Sequence, residues 1–316
     1  MKPAIGIDFG GTAVKIGLVN DRGKLLREDG FATADAHGVK GWLDAVAAAL
    51  QRMGLDPNHL SRQISGMGVG VPGFVDFRRG FIHDLTNVPG WTGVSLAALL
   101  RRRFGIRAVV DNDCNAMAFG EVCYGAGRKF RHAVFLTLGT GVGGGIVLDK
   151  KVWRGAYSMA GEIGHVSIDM YGVRTKTGRG GLEEYVGIEP LVARARKLLR
   201  KRTSILPDMV QGDLSKLTPR HLAEAAAQGD SVALEVFDFM ADCLATVLAD
   251  VTYLLQPEAF IIGGGVSAAG KVLFEPLRRH LDERLSPFFA KLIQVLPAAL
   301  GNRGGMIGAA TLVLKG

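Results

Sequence analysis

The chain has 316 residues, of which 48% are apolar, and its formal net charge is +8. This length allows one large domain or two smaller ones with an ample core. No apolar run could span a membrane, and a strand pattern begins within the first residues, so we expect neither a membrane segment nor a signal peptide. The three cysteines have neither disulfide-framework nor metal-site spacing, which favours a reduced, cytoplasmic location.

The sequence contains two basic clusters: "RRRF" (Arg101–Phe104) and "RKLLRKR" (Arg196–Arg202). A basic balance can indicate a nucleic-acid partner. Both clusters lie in helical patterns, where a solvated helix face is the commoner explanation, and no zinc finger or aromatic RNA-binding motif accompanies them. We therefore predict no nucleic-acid partner.

Residues Ala4–Val19 ("AIGIDFGGTAVKIGLV") predict a strand, a tight glycine turn and a second strand. Backbone N–H groups at Gly10 and Gly11, with the hydroxyl group of Thr12, could surround phosphate oxygens. Asp8 ends the first strand, where a carboxylate could hold Mg²⁺ directly or through water. A plain hairpin with an Asx turn accounts for the same residues.

The same pattern recurs in "VFLTLGTGVGGGIVLD" (Val134–Asp149). Two copies predict a duplicated architecture with two related halves. One glycine hairpin from each half, facing across a cleft, would bind a polyphosphate from two sides.

Between these hairpins, "VVDNDCNAMAFGE" (Val109–Glu121) predicts a strand that delivers polar side chains to its carboxyl end, followed by a helix. Ligands bind at such strand ends in α/β sheets. A helix N-cap accounts for one of the four polar residues Asp111, Asn112, Asp113 and Asn115, but not for all of them. We predict a site here, with Asp113 as its base.

Other elements follow from pattern and spacing. Helices are predicted over Val39–Gly54, Ser95–Phe104, Pro190–Arg202, Pro219–Ala227, Ser231–Leu255 and the last part of Leu300–Leu314. Asn87, in the loop "LTNVPGW", could face a ligand, although a turn Asn is the commoner case. A buried strand ends in the three glycines of "EAFIIGGGVS" (Glu258–Ser267), which suits the close approach of a nucleotide.

Two further groups of residues are candidates for ligand binding. Glu162 and His165 stand three residues apart and could point at one hydroxylated ligand, whether the segment is a helix or a tight loop. Glu183 and Glu184 fall in the first turn of a predicted helix, where they could simply complement the helix dipole.

These motifs together resemble the ROK family of bacterial sugar kinases and repressors, in the actin-like ATPase superfamily. The resemblance runs nearly end to end and rests on the order of the blocks, each of which is modest alone. The blocks are "IDFGGT" (Ile7–Thr12), "GVPGFVD" (Gly70–Asp76), "NVPGW" (Asn87–Trp91), "NDCNA" (Asn112–Ala116), "LGTGVGGG" (Leu138–Gly145), "GEIGH" (Gly161–His165), "GLEEY" (Gly181–Tyr185), "IIGGGVS" (Ile261–Ser267) and "GNRGGMIGAA" (Gly301–Ala310).

The resemblance implies an α/β fold of the duplicated, ribonuclease H-like actin type, with two lobes and a cleft between them. The N-terminal lobe would comprise residues 1–115 and 301–316, and the C-terminal lobe residues 116–300. The resemblance also implies a homodimer. The lack of a long apolar run predicts no membrane partner.

The resemblance further implies site residues. Asp113 would be the catalytic base. The sugar would be bound by Gly73, Asn87, Asn112, Asp113, Glu162, His165 and Glu183. ATP and its phosphates would be bound by Asp8, Gly10, Gly11, Thr12, Lys15, Gly139, Thr140, Gly141, Gly263, Gly264 and Gly265, with Mg²⁺ near Asp8.

One segment departs from the family pattern. Typical members follow "GEIGH" with a cysteine cluster that binds structural zinc together with the His. Here Thr175, Thr177 and Gly181 stand near the thiolate positions, and neutral hydroxyl groups and a glycine cannot replace three thiolates. We predict no bound zinc, and we predict that His165 serves the sugar alone.

The implied function is an ATP-dependent kinase of a hexose 6-hydroxyl, with glucose as the leading substrate. N-acetylmannosamine, mannose, fructose and allose stay open as substrates, and polyphosphate stays open as a donor below ATP, because "IIGGGVS" is retained. A sugar-responsive repressor is disfavoured, because Ile5 already begins the first strand and Asp113 is kept.

Overall fold

The computed structural model describes residues 2–85 and 88–316. The strands, in chain order, are β1 (Ala4–Phe9), β2 (Ala13–Val19), β3 (Leu25–Ala32), β4 (Met67–Val71), β5 (Gly73–Asp76), β6 (Phe81–Leu85), β7 (Ala108–Asn112), β8 (Ala133–Leu138), β9 (Val142–Leu148), β10 (Lys151–Trp153), β11 (Arg174–Thr175), β12 (Gly178–Arg179), β13 (Ala259–Gly263) and β14 (Gln294–Pro297).

The helices, in chain order, are α1 (Gly38–Arg52), α2 (Leu60–Gln63), α3 (Leu96–Phe104), α4 (Asp113–Tyr124), α5 (Glu183–Val186), α6 (Ile188–Leu199), α7 (Leu206–Met209), α8 (Pro219–Ala227), α9 (Ser231–Leu255), α10 (Lys271–Arg284), α11 (Pro287–Leu292) and α12 (Gly304–Leu314). The predicted bounds of α8 and α9 are confirmed to the residue. Asp230 explains the sharp start of α9, because its carboxylate accepts from the backbone N–H groups of Val232 and Ala233.

The first sheet has the strand order β3-β2-β1-β4-β7. Strand β2 pairs antiparallel with both β3 and β1, as the two tight connections require. Strands β1, β4 and β7 run parallel to one another. The parallel strands read as near-continuous apolar runs because both of their faces are covered; every residue of β4 is buried.

The second sheet repeats this order as β10-β9-β8-β13-β14. Its β10 and β9 are antiparallel, and β8, β13 and β14 are parallel. A glycine turn joins β1 to β2 in the first sheet and β8 to β9 in the second. The predicted duplication is therefore confirmed at the level of strand order.

The chain forms two compact units. The first unit comprises Met1–Arg131, Gly145–Gly161 and Ala298–Gly316, and the second comprises His132–Gly144 and Glu162–Pro297. The predicted lobe boundary between residues 115 and 116 falls inside α4, which is one uninterrupted helix of the first unit. The first division lies instead between Arg131 and His132, before β8. The chain then returns to the first unit from Gly145, within β9, to Gly161, and again from Ala298.

Helix α12 is buried along its whole length in the first unit. Glycines on the sheet make this possible: a Cβ added at Gly6 or Gly68 would lie 1.8 or 1.7 Å from a backbone oxygen of α12. The same helix crosses α4 closely, since a Cβ at Gly308 would lie 2.2 Å from the Ala116 backbone oxygen. This packing fixes the helix that carries Asp113.

Helix α9 is the longest element, and its buried side chains form the core of the second unit. It also carries Glu235, Asp238, Asp242 and Asp250. Across residues 2–85 and 88–316, no helix combines the length and the apolar character needed to cross a lipid bilayer.

Candidate active site

Asn112 caps helix α4 at the carboxyl end of β7. Its side-chain oxygen accepts from the backbone N–H groups of Cys114 at 2.9 Å and Asn115 at 3.2 Å. Its amide nitrogen donates to the Gly73 carbonyl oxygen at 3.3 Å. The cap role considered for this cluster therefore belongs to Asn112, and the structure brings together two of the predicted sugar-binding residues, Asn112 and Gly73.

Asp113 is the first residue of α4. Its Oδ1 accepts from the Cys114 backbone N–H at 2.9 Å, which holds the carboxyl group near the helix N-terminus. Burial raises the pKa of Asp113 to about 7, and the neighbouring negative charge of Asp8 adds to the rise. A carboxyl group with this pKa is a stronger base than an ordinary aspartate, and it is still substantially ionised at neutral pH.

Asp8 lies near the end of β1, opposite Lys15 of β2 in the strand register. Burial raises the pKa of Asp8, and the Lys15 charge partly opposes this rise. The first turn of α12 lies directly against the carboxyl group, since a Cβ added at Gly305 would be 2.3 Å from Asp8 Oδ2. The predicted Mg²⁺ position therefore has a half-buried carboxylate, with little room beside it on the side of α12.

The first glycine turn, residues 10–12, joins β1 to β2. The Gly10 N–H donates to the Ala13 carbonyl oxygen at 3.0 Å, which closes the turn. Thr33 braces it from outside, because its hydroxyl group donates to the Gly10 carbonyl oxygen at 2.7 Å. Gly11 and Thr12 are exposed, and a Cβ at Gly11 would meet no atom within 4 Å. The turn thus offers open backbone of the kind that the phosphate hypothesis needs.

The second glycine turn, residues 139–141, joins β8 to β9 in the second unit. The Gly139 N–H donates to the Gly141 carbonyl oxygen at 3.0 Å. Glu183 Oε2 accepts from the Val142 N–H at 2.8 Å, and a Cβ at Gly141 would lie 2.0 Å from that oxygen. Glu183 is therefore a support of this turn, a role that the sequence reading did not foresee.

Glu162 and His165 approach each other through a 3₁₀ turn, Ile163–His165. Glu162 Oε2 and His165 Nε2 are 3.8 Å apart, and both side chains are partly exposed. Burial raises the pKa of Glu162, the His165 charge lowers it and the Glu183 charge raises it. Glu162, His165 and Glu183 are thus electrostatic neighbours in the second unit, as the resemblance implies.

The three glycines at the end of β13 differ in their surroundings. Gly263 is the last residue of the strand and pairs with Thr137 of β8. Gly264 has φ +87°, and a Cβ there would lie 2.2 Å from the Leu138 backbone oxygen, so it lets β13 pack closely against β8. Gly265 has no atom within 4 Å of the Cβ position and remains open to a ligand. Ser267 closes the turn by donating to the Gly264 carbonyl oxygen at 2.7 Å.

The segment that departs from the zinc pattern folds as a β11–β12 hairpin. Thr175 Oγ1 and Thr177 Oγ1 are 2.9 Å apart, and Gly181 pairs with Ser167. Asp169 accepts from the Tyr171 N–H at 2.9 Å and from the Tyr185 hydroxyl group at 3.0 Å. The hydrogen bonds that Asp169 accepts therefore stabilise the segment.

The absence of zinc stays a prediction. In the part of the chain that the structure describes, no three His, Cys, Asp or Glu side chains are arranged to hold a metal ion. We expect elemental analysis of protein purified without added metal to find well below one zinc per chain. About one zinc per chain would show that other groups had replaced the thiolates.

Arg154 belongs to no motif in the sequence, and the pattern around Asp111 does not indicate its partner. Asp111 is 1% exposed, and its Oδ2 accepts from Arg154 Nη2 at 2.6 Å and Nε at 2.9 Å. A buried carboxylate requires a partner, so the sequence could have signalled that a cation pairs with Asp111, but not which one. The predicted sugar residue Asn87 lies outside the described residues, and the facing of the two glycine turns across a cleft stays a prediction.

The sequence was compared with protein families and with known proteins. The ROK family profile matches residues 4–316. The chain belongs to the ROK family. A glucokinase of Thermotoga maritima is 34% identical over 310 residues, which cover 98% of this chain and 96% of that protein.

Solved ROK structures extend the comparison. A ROK family glucokinase from Streptomyces griseus, in complex with glucose and AMPPNP, is 34% identical with a TM-score of 0.82 and covers 99% of this chain and 100% of that one. A ROK hexokinase from Thermus thermophilus is 26% identical with a TM-score of 0.76, covering 98% of this chain and 96% of that one. ROK sugar kinases have the two-domain actin-like ATPase fold, so the predicted fold class is confirmed.

Proposed function

We propose that the protein is an ATP-dependent hexose kinase that phosphorylates the 6-hydroxyl group, with glucose as its substrate. The observation that carries the proposal is Asp113, a carboxyl group with a pKa of about 7 beside the capped start of α4. Glycine turns in both sheets and full-length similarity to glucokinases support the same reaction.

In this mechanism Asp113 accepts the proton of the sugar 6-hydroxyl group. The oxygen attacks the γ-phosphorus of ATP in line, the bond to the β–γ bridging oxygen breaks, and ADP leaves with that electron pair. Phosphoryl transfer depends mainly on positioning and on charge stabilisation. Asn112 would orient the sugar beside the base, since its side chain is already fixed by hydrogen bonds to the start of α4 and to Gly73.

The residues present fit a magnesium ion brought in with the nucleotide. Mg²⁺ usually takes one or two protein carboxylates, several waters and substrate phosphates. Asp8 supplies one such carboxylate. It is half-buried, and burial raises its pKa by disfavouring the charged form, which a nearby cation would stabilise. Bound Mg²⁺ would offset the charge of the β- and γ-phosphates. Lys15 and the turn of residues 10–12 would bind phosphate oxygens beside it.

In the second unit, Glu162, His165 and Glu183 would recognise sugar hydroxyl groups. Each hydroxyl group both donates and accepts, so carboxylates and an imidazole in fixed directions can select among epimers. One oxygen of Glu183 is already used by the Val142 N–H, which leaves its other oxygen for the sugar. Residues 139–141, together with Gly263, Gly264 and Gly265, would bind the nucleotide.

His165→Ala tests this recognition role. We expect glucose affinity to fall by roughly 5–150-fold, because the variant would leave a sugar hydroxyl group without its hydrogen-bond partner. An unpaired buried polar group costs about 1–3 kcal/mol. We expect the free energy of unfolding to change by only about 0.5 kcal/mol, because the imidazole is partly exposed and its ion-pair distance of 3.8 Å is long. Calorimetric glucose titration and urea unfolding measure the two quantities. A variant that unfolds readily but binds glucose normally would make His165 a structural residue.

A coupled ADP-release assay across a panel of hexoses tests the proposed function. The panel includes glucose, mannose, fructose, allose and N-acetylmannosamine, and sugar phosphate formation is measured with ATP and with polyphosphate as donors. Glucose with ATP should give the highest kcat/KM. Activity confined to another hexose or to polyphosphate would correct the substrate, and no transfer with any pair would refute the kinase assignment. The expected homodimer is a separate proposal, which light scattering of the purified protein tests.

A further inference from the structure

A buried charged pair, Asp111 and Arg154, lies beside the turn from β7 to α4 that carries Asn112 and Asp113. Asp111 is the residue two positions before Asp113, and it has no role in the mechanism above. Its Oδ2 accepts two hydrogen bonds from Arg154, and its Oδ1 accepts from the Asn112 N–H at 2.9 Å and from Asn115 Nδ2 at 3.2 Å. One buried carboxylate therefore connects Arg154 to both ends of the N-cap turn.

Arg154 is itself held in one orientation. Its Nη1 donates to the Val152 carbonyl oxygen at 3.2 Å, and its guanidinium carbon lies 3.5 Å from the centre of the Phe77 ring. The side chain is only 18% exposed. A planar guanidinium that stacks on a ring and donates two hydrogen bonds fixes the orientation of the Asp111 carboxylate. The ammonium group of a lysine has no such planar pair of donors.

We propose that Arg154 is a positioning residue for the transfer reaction: acting through Asp111, it fixes the strand-to-helix turn that carries Asn112 and Asp113. This inference rests on the proposed function, because it assigns Arg154 a role in the reaction of Asp113. The inference also accounts for the polar residues Asp111 and Asn115 at this turn, which a helix cap alone does not explain.

The hydrogen bonds of Asn115 support this argument. The residue is 2% exposed, its Nδ2 donates to Asp111, and its Oδ1 is buried without a hydrogen-bond partner. Asp111 therefore restrains this amide at the turn. Without Arg154 the Asp111 carboxylate would lose its counter-charge while still buried, so it would move or take up a proton. Either change would alter the backbone turn at Asn112, the residue after Asp111, and so shift Asp113. Misplacing a catalytic group by about 1 Å can lower the rate on the order of 10²-fold.

The test compares Arg154→Met, Arg154→Lys, Asp111→Asn and the Arg154→Met/Asp111→Asn double variant. We expect Arg154→Met and Asp111→Asn each to lower kcat by roughly 10–100-fold, with KM for glucose and ATP within about 3-fold of wild type. Arg154→Lys should recover part of the loss. If Arg154 acts through Asp111, the kcat of the double variant should be no lower than that of the less active single variant.

Arg52→Met is the matched control. Arg52 binds Asp29 through the same two kinds of nitrogen atom, at 2.8 and 3.2 Å, but that pair is exposed and takes no part in the proposed site. Its kcat should equal that of wild type. Amide hydrogen exchange at Cys114 and Asn115 gives a readout that does not depend on activity. Exchange should be faster in Arg154→Met than in Arg52→Met, because the cap turn is released.

Three results would overturn the proposal. A folded Arg154→Met variant with wild-type kcat would make the pair purely structural. Multiplied losses in the double variant would mean that Arg154 does not act through Asp111. A large rise in KM for ATP would mean that Arg154 binds the nucleotide itself. Unchanged exchange at Cys114 and Asn115 would disprove control of the turn. If Arg154→Met does not fold, Arg154→Lys and Asp111→Asn carry the same comparisons. A wild-type protein without kinase activity refutes the proposed function instead, and the exchange data still judge the effect on the turn.

Discussion

Asp113→Asn is expected to lower kcat by about 10²–10⁴-fold while it raises the free energy of unfolding at pH 8. The loss of rate follows because the amide cannot accept the proton of the 6-hydroxyl group. Glucose binding should persist, since an asparagine side chain still offers an oxygen to the sugar. The gain in stability follows from the pKa of the carboxyl group, which burial and Asp8 raise from 3.8 to about 7 in the folded protein.

The sign of the stability change can be worked out from these two pKa values. The unfolded chain loses the Asp113 proton near pH 3.8, whereas the folded protein keeps it until about pH 7. Between these values the folded state binds more protons, so the stability of the wild type falls as the pH rises through this window. The full cost, at most about 4 kcal/mol, applies above pH 7, and the Asn variant avoids it.

Two measurements decide this prediction. Steady-state kinetics give kcat, and urea unfolding at pH 4 and pH 8 gives the stability difference between variant and wild type, which should grow with pH. Asp44→Asn is the control, because Asp44 forms an exposed pair with Lys40 on α1. Near-normal turnover would remove Asp113 from the role of base. An unchanged stability difference would show that its carboxyl group is not held in its neutral form.

Periodicity and glycine placement were sufficient to predict much of the fold. The two strand–turn–strand patterns gave the duplicated sheets, because a glycine turn between two apolar strands has few other solutions. The bounds of α9 followed from a continuous apolar stripe, and the structure shows that Asp230 caps its start. The lobe boundary did not follow, because α4 begins with site residues and continues as a core helix, and its sequence does not mark which unit it packs in.

The candidate site was predictable where polar residues cluster along the chain and unpredictable where they meet through the fold. Asn112 and Asp113 stand at a strand end, so their pattern indicates a site. The contact of Asp111 with Arg154 joins residues 43 positions apart. The support that Glu183 gives to the Val142 N–H spans 41 positions. Such pairs depend on the three-dimensional path of the chain, which local spacing does not encode.

The second large expected effect belongs to Asp8→Asn. We expect kcat/KM for ATP to fall by on the order of 10²–10³-fold, because the carboxylate that would hold Mg²⁺ against the phosphates is lost. The Mg²⁺ concentration that gives half-maximal rate should rise. Asp8 and Lys15 stand opposite each other, so the variant also leaves Lys15 without its nearest opposing charge in the strand register.

The same variant makes an independent prediction about Asp113. The negative charge of Asp8 is the second cause of the raised pKa of Asp113, after burial. Removing that charge should lower the pKa, so the acid limb of the kcat/KM profile should move from about pH 7 in wild type to a lower pH in the residual activity of Asp8→Asn. Asp44→Asn again serves as control and should leave both the Mg²⁺ dependence and the acid limb in place. An acid limb that stays near pH 7 would show that the two carboxylates are not coupled. An unchanged Mg²⁺ dependence would place the metal on other oxygen atoms.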